Sequence, residues 1–363
     1  MKYVAPVFFL FLTGVFAQPT DETVDRKIRK ARYQARVDIL NRLLEDVSAD
    51  RYVGWADGLK AEKRYDEAAV YYLIATKKDP KHIRAAYQLA CTFALWGQKK
   101  LALEWLARAV QNGFWGASIL REEADLDSVR SLPGFDRLSQ KVVERYTEEA
   151  PKHAPRSVVR VPAGEAPSGG WPVILLLHGW GASHADFVEM ADLAAGQGMV
   201  GIALDGPTVR YVDSYSWTTE DLGTTHRHLQ KVLAAHRDKL PDATGPVYLS
   251  GFSQGAHQAT LLLAAHPDQY AGTLSWSPGG RLALPRSLSR RGRALYLIAG
   301  KRDHPVNVRR VQDTQKLWVS GEWPVRLDWH EGGHRFPKDW ESRFTQAMKW
   351  VTEQARNSSK EKR

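Results

Sequence analysis

The chain has 363 residues, 43% hydrophobic and 25% charged, with a single cysteine, Cys91, and a formal net charge of +10. That length allows two domains with their own cores, and that composition excludes a disordered or collagen-like chain. A lone cysteine excludes an intramolecular disulfide, and the lack of zinc-finger, homeodomain, RRM and KH patterns argues against a nucleic-acid partner, so the positive excess is read first as a solvated basic surface.

The chain opens with "MKYVAPVFFLFLTGVFAQPT", in which Lys2 precedes an apolar run and Val15 and Ala17 stand where a secretory peptidase requires compact residues. The apolar run is about 13 residues, short of the ~20 that a spanning helix needs. A cleavable signal over 1–17, cut after Ala17, is therefore expected, with a secreted or periplasmic protein that keeps no spanning segment. An amphipathic helix is expected over Asp25 to Val47, with Ile28, Ile39 and Leu43 near one face and Lys27, Arg29, Lys30 and Arg36 solvated.

A repeat follows at a period of 34 residues. Trp55, Ala56, Leu59, Ala68, Tyr72, Ala75 and Pro80 recur as Leu89, Ala90, Phe93, Ala102, Leu106, Ala109 and Phe114. Small residues recur where two helices approach closely, and large ones fill the gaps between them. The spacing resembles the tetratricopeptide repeat, and the resemblance implies stacked helix pairs whose concave face suits a peptide or protein partner. The stretch from Asp125 to Val143 is expected to cap the stack, so that residues 18–147 form one helical region.

A Pro-containing connector, 148–156, precedes a change of pattern. Short apolar runs predict strands over Ser157–Val161, Pro172–Leu177, Met199–Leu204, Val247–Ser250, Gly272–Trp276, Ala294–Ile298 and Val325–Trp329. Amphipathic stretches predict helices over Ala185–Gln197, Glu220–His236, Gln254–His266, Val306–Val319 and Asp339–Ala355. Strand–helix alternation implies an α/β domain over 157–356, a doubly wound and mostly parallel sheet with helices on both faces. The last residues, 357–363, are expected to be a disordered tail.

In such a sheet, functional residues gather beyond the carboxyl ends of the strands. "LSGFSQGA" stands at one of those ends, and its Gly-x-Ser-x-Gly core fits a nucleophile elbow that exposes the hydroxyl of Ser253. Gly251 and Gly255 remove side chains where strand and helix crowd together. A serine hydroxyl needs an oriented base. Asp303, after one later strand, is the expected acid, and His334, after the last strand, the expected base. His330 and His304 are the rival imidazoles, and Asp328 and Asp205 the fallback acids. The loop "HGWGAS" follows an early strand, so the backbone N–H groups of Trp180 and Gln254 are the expected oxyanion donors. His178 in that loop is read as a brace. Tyr215 and Trp217, between a strand and a helix, either line an acyl or aromatic pocket or pack within their loop. Between Arg281 and Arg310 nine cations face one acid, Asp303, which suits either a solvated surface or the steering of an anionic substrate. With no His-Glu-x-x-His and no cysteine pairing, no metal is expected.

Through "LLHGWG", "GFSQGA", "GKRDHPV" and "GGH", residues 157 to 356 resemble the α/β-hydrolase superfamily, in particular its phospholipase/carboxylesterase, acyl-protein-thioesterase-like branch. The resemblance implies hydrolysis of carboxylic esters or thioesters without a cofactor. Ser253 would be nucleophile, Asp303 acid, His334 base, and Trp180 and Gln254 the oxyanion donors. Members often carry an acidic residue soon after the His-Gly loop, where this chain has Ala182 and Ser183. The expected substrate is a small-molecule, lipid or aryl ester. The same chemistry would serve a peptidase or an acyltransferase, and an adaptor with an inert hydrolase domain is the reading from outside enzymology.

Overall fold

The computed structural model describes residues 47–218, 221–279 and 293–360. The expected signal, nearly all of the Asp25–Val47 helix and the first part of the arginine-rich stretch lie outside the described residues. Two compact units are formed, one from residues 47–114 with Glu123–Leu138 and the other from Trp115–Glu122 with the residues from Ser139 onward.

The first unit is helical. Helices α1 (Ala49–Ala61) and α2 (Tyr65–Lys78) form one pair, α3 (Ile83–Leu95) and α4 (Lys99–Gln111) the next, and each helix of the second pair starts 34 residues after its counterpart. The repeated small residues Ala56, Ala68, Ala75, Ala90, Ala102 and Ala109 are fully buried, which lets the backbones approach. Tyr72 and Leu106 fill the equivalent gaps, also without exposure. Ser48 caps α1 by accepting from the Arg51 amide at 3.3 Å. A 3-10 turn, Ala124–Val129, packs against α3 and α4, and Lys60 of α1 reaches its Asp125 at 2.7 Å.

The second unit holds a seven-stranded sheet. Strands β1 (Ser157–Arg160), β2 (Val173–Leu177), β3 (Val200–Leu204), β6 (Val247–Phe252), β7 (Gly272–Trp276), β8 (Ala294–Gly300) and β9 (Val325–His330) run in the order β1-β3-β2-β6-β7-β8-β9. All pairs are parallel except β1 with β3. Alternate residues of β2 serve the two faces. Val173, Leu175 and Leu177 meet α8 (Leu222–Arg237), α9 (Gln254–Ala265) and α10 (Pro305–Ser320) through Leu229, Leu262 and Trp318. Ile174 and Leu176 meet α7 (Val188–Gly196) and α11 (Trp340–Lys360) through Ala191, Phe344 and Val351. Both faces are thus covered, as a parallel sheet requires. No helix among the described residues is long and apolar enough to cross a membrane.

Four features differ from the sequence reading. The units do not part at 148–156, because α5 (Ala117–Glu122), which packs on the strand Thr208–Tyr211, and the part of α6 (Phe135–Glu149) from Ser139 onward belong to the second unit. The last helix continues to Lys360, four residues into the expected tail, since no Gly or Pro interrupts "ARNSSK". The Ala185–Gln197 segment begins as a 3-10 turn, His184–Phe187, with a capping box between Ser183 and Asp186. A hairpin, β4 (Thr208–Tyr211) with β5 (Ser214–Ser216), occupies what reads as loop.

Candidate active site

Ser253 stands between the end of β6 and the start of α9 with φ 52° and ψ −113°. A serine takes positive φ only under constraint, and the surroundings supply it. Its amide donates to the Trp276 carbonyl at 2.9 Å, and its carbonyl accepts from the His257 and Gly279 amides at 3.0 and 3.1 Å. A Cβ on Gly251 would lie 2.4 Å from the Gly255 backbone, and one on Gly255 would lie 2.2 Å from the Leu177 carbonyl oxygen. The Gly-x-Ser-x-Gly spacing is therefore the one that lets strand, turn and helix close on each other.

The parallel strands bring three loops to the same edge. The loops after β8 and β9 are tied together, Lys301 N–H to the His330 carbonyl at 2.8 Å and Arg302 N–H to the Gly332 carbonyl at 2.9 Å. Asp303 follows β8 and His334 follows β9. His334 Nδ1 lies 2.7 Å from Asp303 Oδ2, and His334 Nε2 lies 2.8 Å from Ser253 Oγ. The carboxylate holds the proton on Nδ1, which leaves Nε2 free to accept the Ser253 hydroxyl proton. The other carboxylate oxygen of Asp303 accepts from the His304 amide at 2.6 Å and from Asn307 Nδ2 at 3.0 Å. Burial pushes the Asp303 carboxyl up, but hydrogen bonds from His334, Asn307 and the His304 amide outweigh it and leave the group below the ordinary aspartate value. Asp303 is thus an anion that stays charged while the imidazole leans on it.

The rival groups are engaged elsewhere. His304 caps α10 and His330 Nδ1 accepts from the Gly332 amide. Tyr296 and Arg326 hold Asp328. Asp205 is fully buried and accepts from His184 and from the Arg156 amide. His178 is a brace: its Nε2 accepts from the Gly206 amide at 2.9 Å, its Nδ1 meets the Gly179 carbonyl at 2.6 Å, and burial holds its basicity below normal.

The two amides expected to face an oxyanion flank Ser253. Gly179 brings the turn that carries Trp180 against it, since a Cβ on Gly179 would lie 3.6 Å from Ser253 Cβ. Gln254 is the first residue of α9, where the helix points its N–H groups and positive dipole end outward. Among the described residues neither the Trp180 nor the Gln254 amide meets an acceptor. The Gln254 side chain instead clasps Trp217, accepting from its amide at 3.1 Å and donating to its carbonyl at 3.0 Å.

Tyr215 and Trp217 do not line a pocket at the mouth. They are 1% and 2% exposed, and the Trp217 indole donates to the His178 carbonyl at 2.8 Å. Two apart on a hairpin strand and its continuation, they point the same way, into the core beneath the His178 loop. Four contributors escaped the sequence reading. Asn307 sits one helical turn beyond Asp303, a spacing that could have flagged it. Gly279 brings its backbone so close that a Cβ there would lie 3.1 Å from Ser253 Oγ and 3.4 Å from His334 Cε1. Phe252 and Phe336, stacked at 4.8 Å, back the imidazole, with Phe252 5.2 Å from the His334 ring. In the described part of the arginine-rich stretch, Lys301 pairs with Glu331 and Arg293 donates to the Pro267 carbonyl.

A family model for the A/B hydrolase-like N-terminal domain matches residues 58–150, helices that precede the sheet. A chloroplastic protein of Arabidopsis thaliana is 26% identical over 157 residues, and the match spans 39% of this chain and about half, 47%, of that relative's length. Among solved structures, a Bacillus cereus carboxylesterase is 17% identical with a TM-score of 0.45, covering 57% of this chain and 98% of that one. An uncharacterized protein from Bacillus cereus ATCC 10987 is 16% identical with a TM-score of 0.41 and covers 84% of this chain and 99% of its own. Est1E from Butyrivibrio proteoclasticus, solved with ferulic acid bound, is 17% identical with a TM-score of 0.41, covering 55% and 95%. The chain thus joins a helical unit, much of it within the match to the A/B hydrolase-like N-terminal domain, to a doubly wound, mostly parallel α/β sheet that carries a strained serine between strand and helix.

Proposed function

We propose that this chain is an exported serine hydrolase that cleaves carboxylic esters, thioesters included, through an acyl-enzyme. The observation that supports this most directly is the unbroken series Asp303–His334–Ser253, at 2.7 and 2.8 Å, ending on a hydroxyl at a positive-φ elbow. In the proposed reaction His334 Nε2 takes the Ser253 proton as Oγ attacks the acyl carbon. The carbonyl oxygen becomes an oxyanion between the Trp180 and Gln254 N–H groups, each donor being worth on the order of 3 kcal/mol of transition-state stabilisation. Collapse breaks the carbon–oxygen or carbon–sulfur bond, and His334 returns the proton to the leaving alcohol or thiol. Water then attacks the acyl-serine while His334 takes a proton from it, the carbon–Oγ bond breaks, and His334 returns the proton to Ser253 Oγ as the free acid leaves.

The substrate in this reading is a small-molecule, lipid or aryl ester, and no cofactor takes part. Export rests on the residues before Gln18, and the helical repeats are offered to a peptide or protein partner. The test is labelling by a fluorophosphonate together with turnover of p-nitrophenyl esters and an acyl thioester. Wild type should label and turn over, and Ser253→Ala should do neither. Turnover that survives Ser253→Ala would remove the reading.

A further inference from the structure

Trp180 combines two properties that conflict. Its amide is one of the two donors facing the oxyanion in the proposed reaction, yet the residue is 50% exposed. Gly179 precedes it and Gly181, at φ +76°, follows it. The Trp180 N–H shares its peptide with the Gly179 carbonyl, which accepts from the Ala182 amide at 3.2 Å and meets His178 Nδ1 at 2.6 Å. The turn around it is fixed as well. Gly181 N–H donates to the Tyr215 carbonyl at 2.9 Å, Tyr215 N–H to the Ala182 carbonyl at 2.9 Å and Ser214 Oγ to the Gly181 carbonyl at 2.9 Å. Beyond these backbone bonds, the indole is the side-chain handle on the Trp180 peptide.

That handle is held from below. The guanidinium of Arg210, on β4, lies over the indole with its carbon 3.7 Å from the ring centroid. Arg210 is only 3% exposed, so it is no substrate-facing cation. One of its terminal nitrogens donates to Glu122 of α5 at 3.0 Å, in the same compact unit, while its Nε is buried without a hydrogen-bond partner. A buried guanidinium with an idle donor is costly, and an apolar side chain would fill the space more cheaply. What an apolar side chain lacks is a rigid, charged plane that attracts an indole face.

We propose that Arg210 is a positioning residue: pinned by Glu122, it clamps the Trp180 indole and so aims the Trp180 N–H at the oxygen that gains charge when Ser253 attacks. The clamp links a helical segment, Ala117–Glu122, to the donor through one ion pair and one stack. The inference rests on the reading of Ser253 as nucleophile. It adds that transition-state stabilisation is set partly by a residue that never touches the substrate.

The experiment compares wild type with Arg210→Met, Arg210→Lys, Trp180→Ala, Glu122→Gln and the Arg210→Met/Trp180→Ala double variant. For each, kcat and KM are measured on one p-nitrophenyl ester, together with Ki for a trifluoromethyl ketone of the same acyl length and the thermal midpoint. Arg210→Met should lower kcat about 10- to 30-fold, with KM within about threefold of wild type, because a misaimed donor weakens the transition state and spares ground-state binding. Ki for the ketone, which forms an oxyanion on Ser253, should rise in step. Arg210→Lys should recover little, and the double variant should be no slower than the slower single one. An unchanged kcat in a folded Arg210→Met, a fall in kcat with Ki unmoved, or additive losses in the double variant would each overturn the clamp. Should Arg210→Met fail to fold, Glu122→Gln takes its place: a smaller fall in kcat with a matching rise in Ki supports the clamp, and no change in either overturns it. Loss of the Ser253 reading is seen separately, in wild type and Ser253→Ala alone, and would overturn both.

Discussion

An imidazole can take a proton from a serine only when its other nitrogen already holds one. At Asp303 the two carboxylate oxygens divide the work: Oδ1 accepts from the His304 amide and Asn307, and Oδ2 faces His334 Nδ1. In Asp303→Asn those donors would keep the amide oxygen and turn the NH2 toward Nδ1. The ring proton would move to Nε2, where it blocks acceptance from Ser253. The expected result is a fall in kcat of about 10^4-fold with a near-normal thermal midpoint, read by steady-state kinetics on a p-nitrophenyl ester. Gly279→Ala tests the opposite side. Its methyl would stand 3.1 Å from Ser253 Oγ and 3.4 Å from His334 Cε1. A displacement of that size is expected to cost about 100-fold in kcat/KM while the protein stays folded, and normal turnover would show that the hydroxyl has room to move. Ser253, Asp303 and His334 could be picked from the sequence because each follows the end of a predicted strand. Gly279 could not, since its importance lies in a contact between two loops that no local pattern records.

At the scale of elements, α9 joins the site to the core. His257, one turn into it, is 3% exposed with Nδ1 buried and unpartnered. Burial, helped by the nearby Arg310 charge, pulls its pKa down to about 4. The sign follows from linkage. Between the unfolded value near 6.5 and about 4, the unfolded chain binds the extra proton, so stability falls as pH falls through that window. The loss at the acid end is on the order of 3 kcal/mol, and His178 and His228, also lowered by burial, act in the same direction. His257→Leu should therefore flatten the dependence of the thermal midpoint on pH between 6.5 and 4, whereas parallel curves for variant and wild type would remove His257 from the account. The sheet was largely legible, because unbroken apolar runs such as Val173–Leu177 are what a doubly covered strand requires. The β6 strand runs two residues past its expected end because Gly251 and Phe252 continue to pair with Ser275 and Trp276, although Ser-Gly-Phe looks like the start of a turn. The β4–β5 hairpin was hidden for a different reason. Its strands have four and three residues, and its turn uses Asp213 at φ 49° in place of Asn-Gly.

For the whole molecule, the 34-residue period announced two helix pairs, but it could not announce where the chain changes allegiance. Residues Trp115–Glu122 belong with the sheet although they lie within the helical region, and a partnership across some 90 positions leaves no periodic trace. Trp115 gives that segment its anchor. It is 4% exposed, with the rings of Tyr211 at 4.7 Å, His153 at 5.2 Å and Tyr146 at 6.0 Å. Tyr146 in turn donates to the Val209 carbonyl at 2.8 Å, so the anchor bears on the strand that carries Arg210. Truncating a buried tryptophan to alanine removes about 3–5 kcal/mol, and a domain of this size loses about 2–4 °C per kcal/mol. Trp115→Ala in the full chain should thus lower the calorimetric midpoint of the sheet unit by on the order of 10 °C, with Trp115→Phe recovering most of it. A chain begun at residue 148 lacks Trp115, Glu122 and Tyr146 together and should melt lower still, even though the whole sheet is present. If that shortened chain melted where the full protein does, residues 115–147 would be a passive lead-in, and the sheet unit would begin at the connector after all.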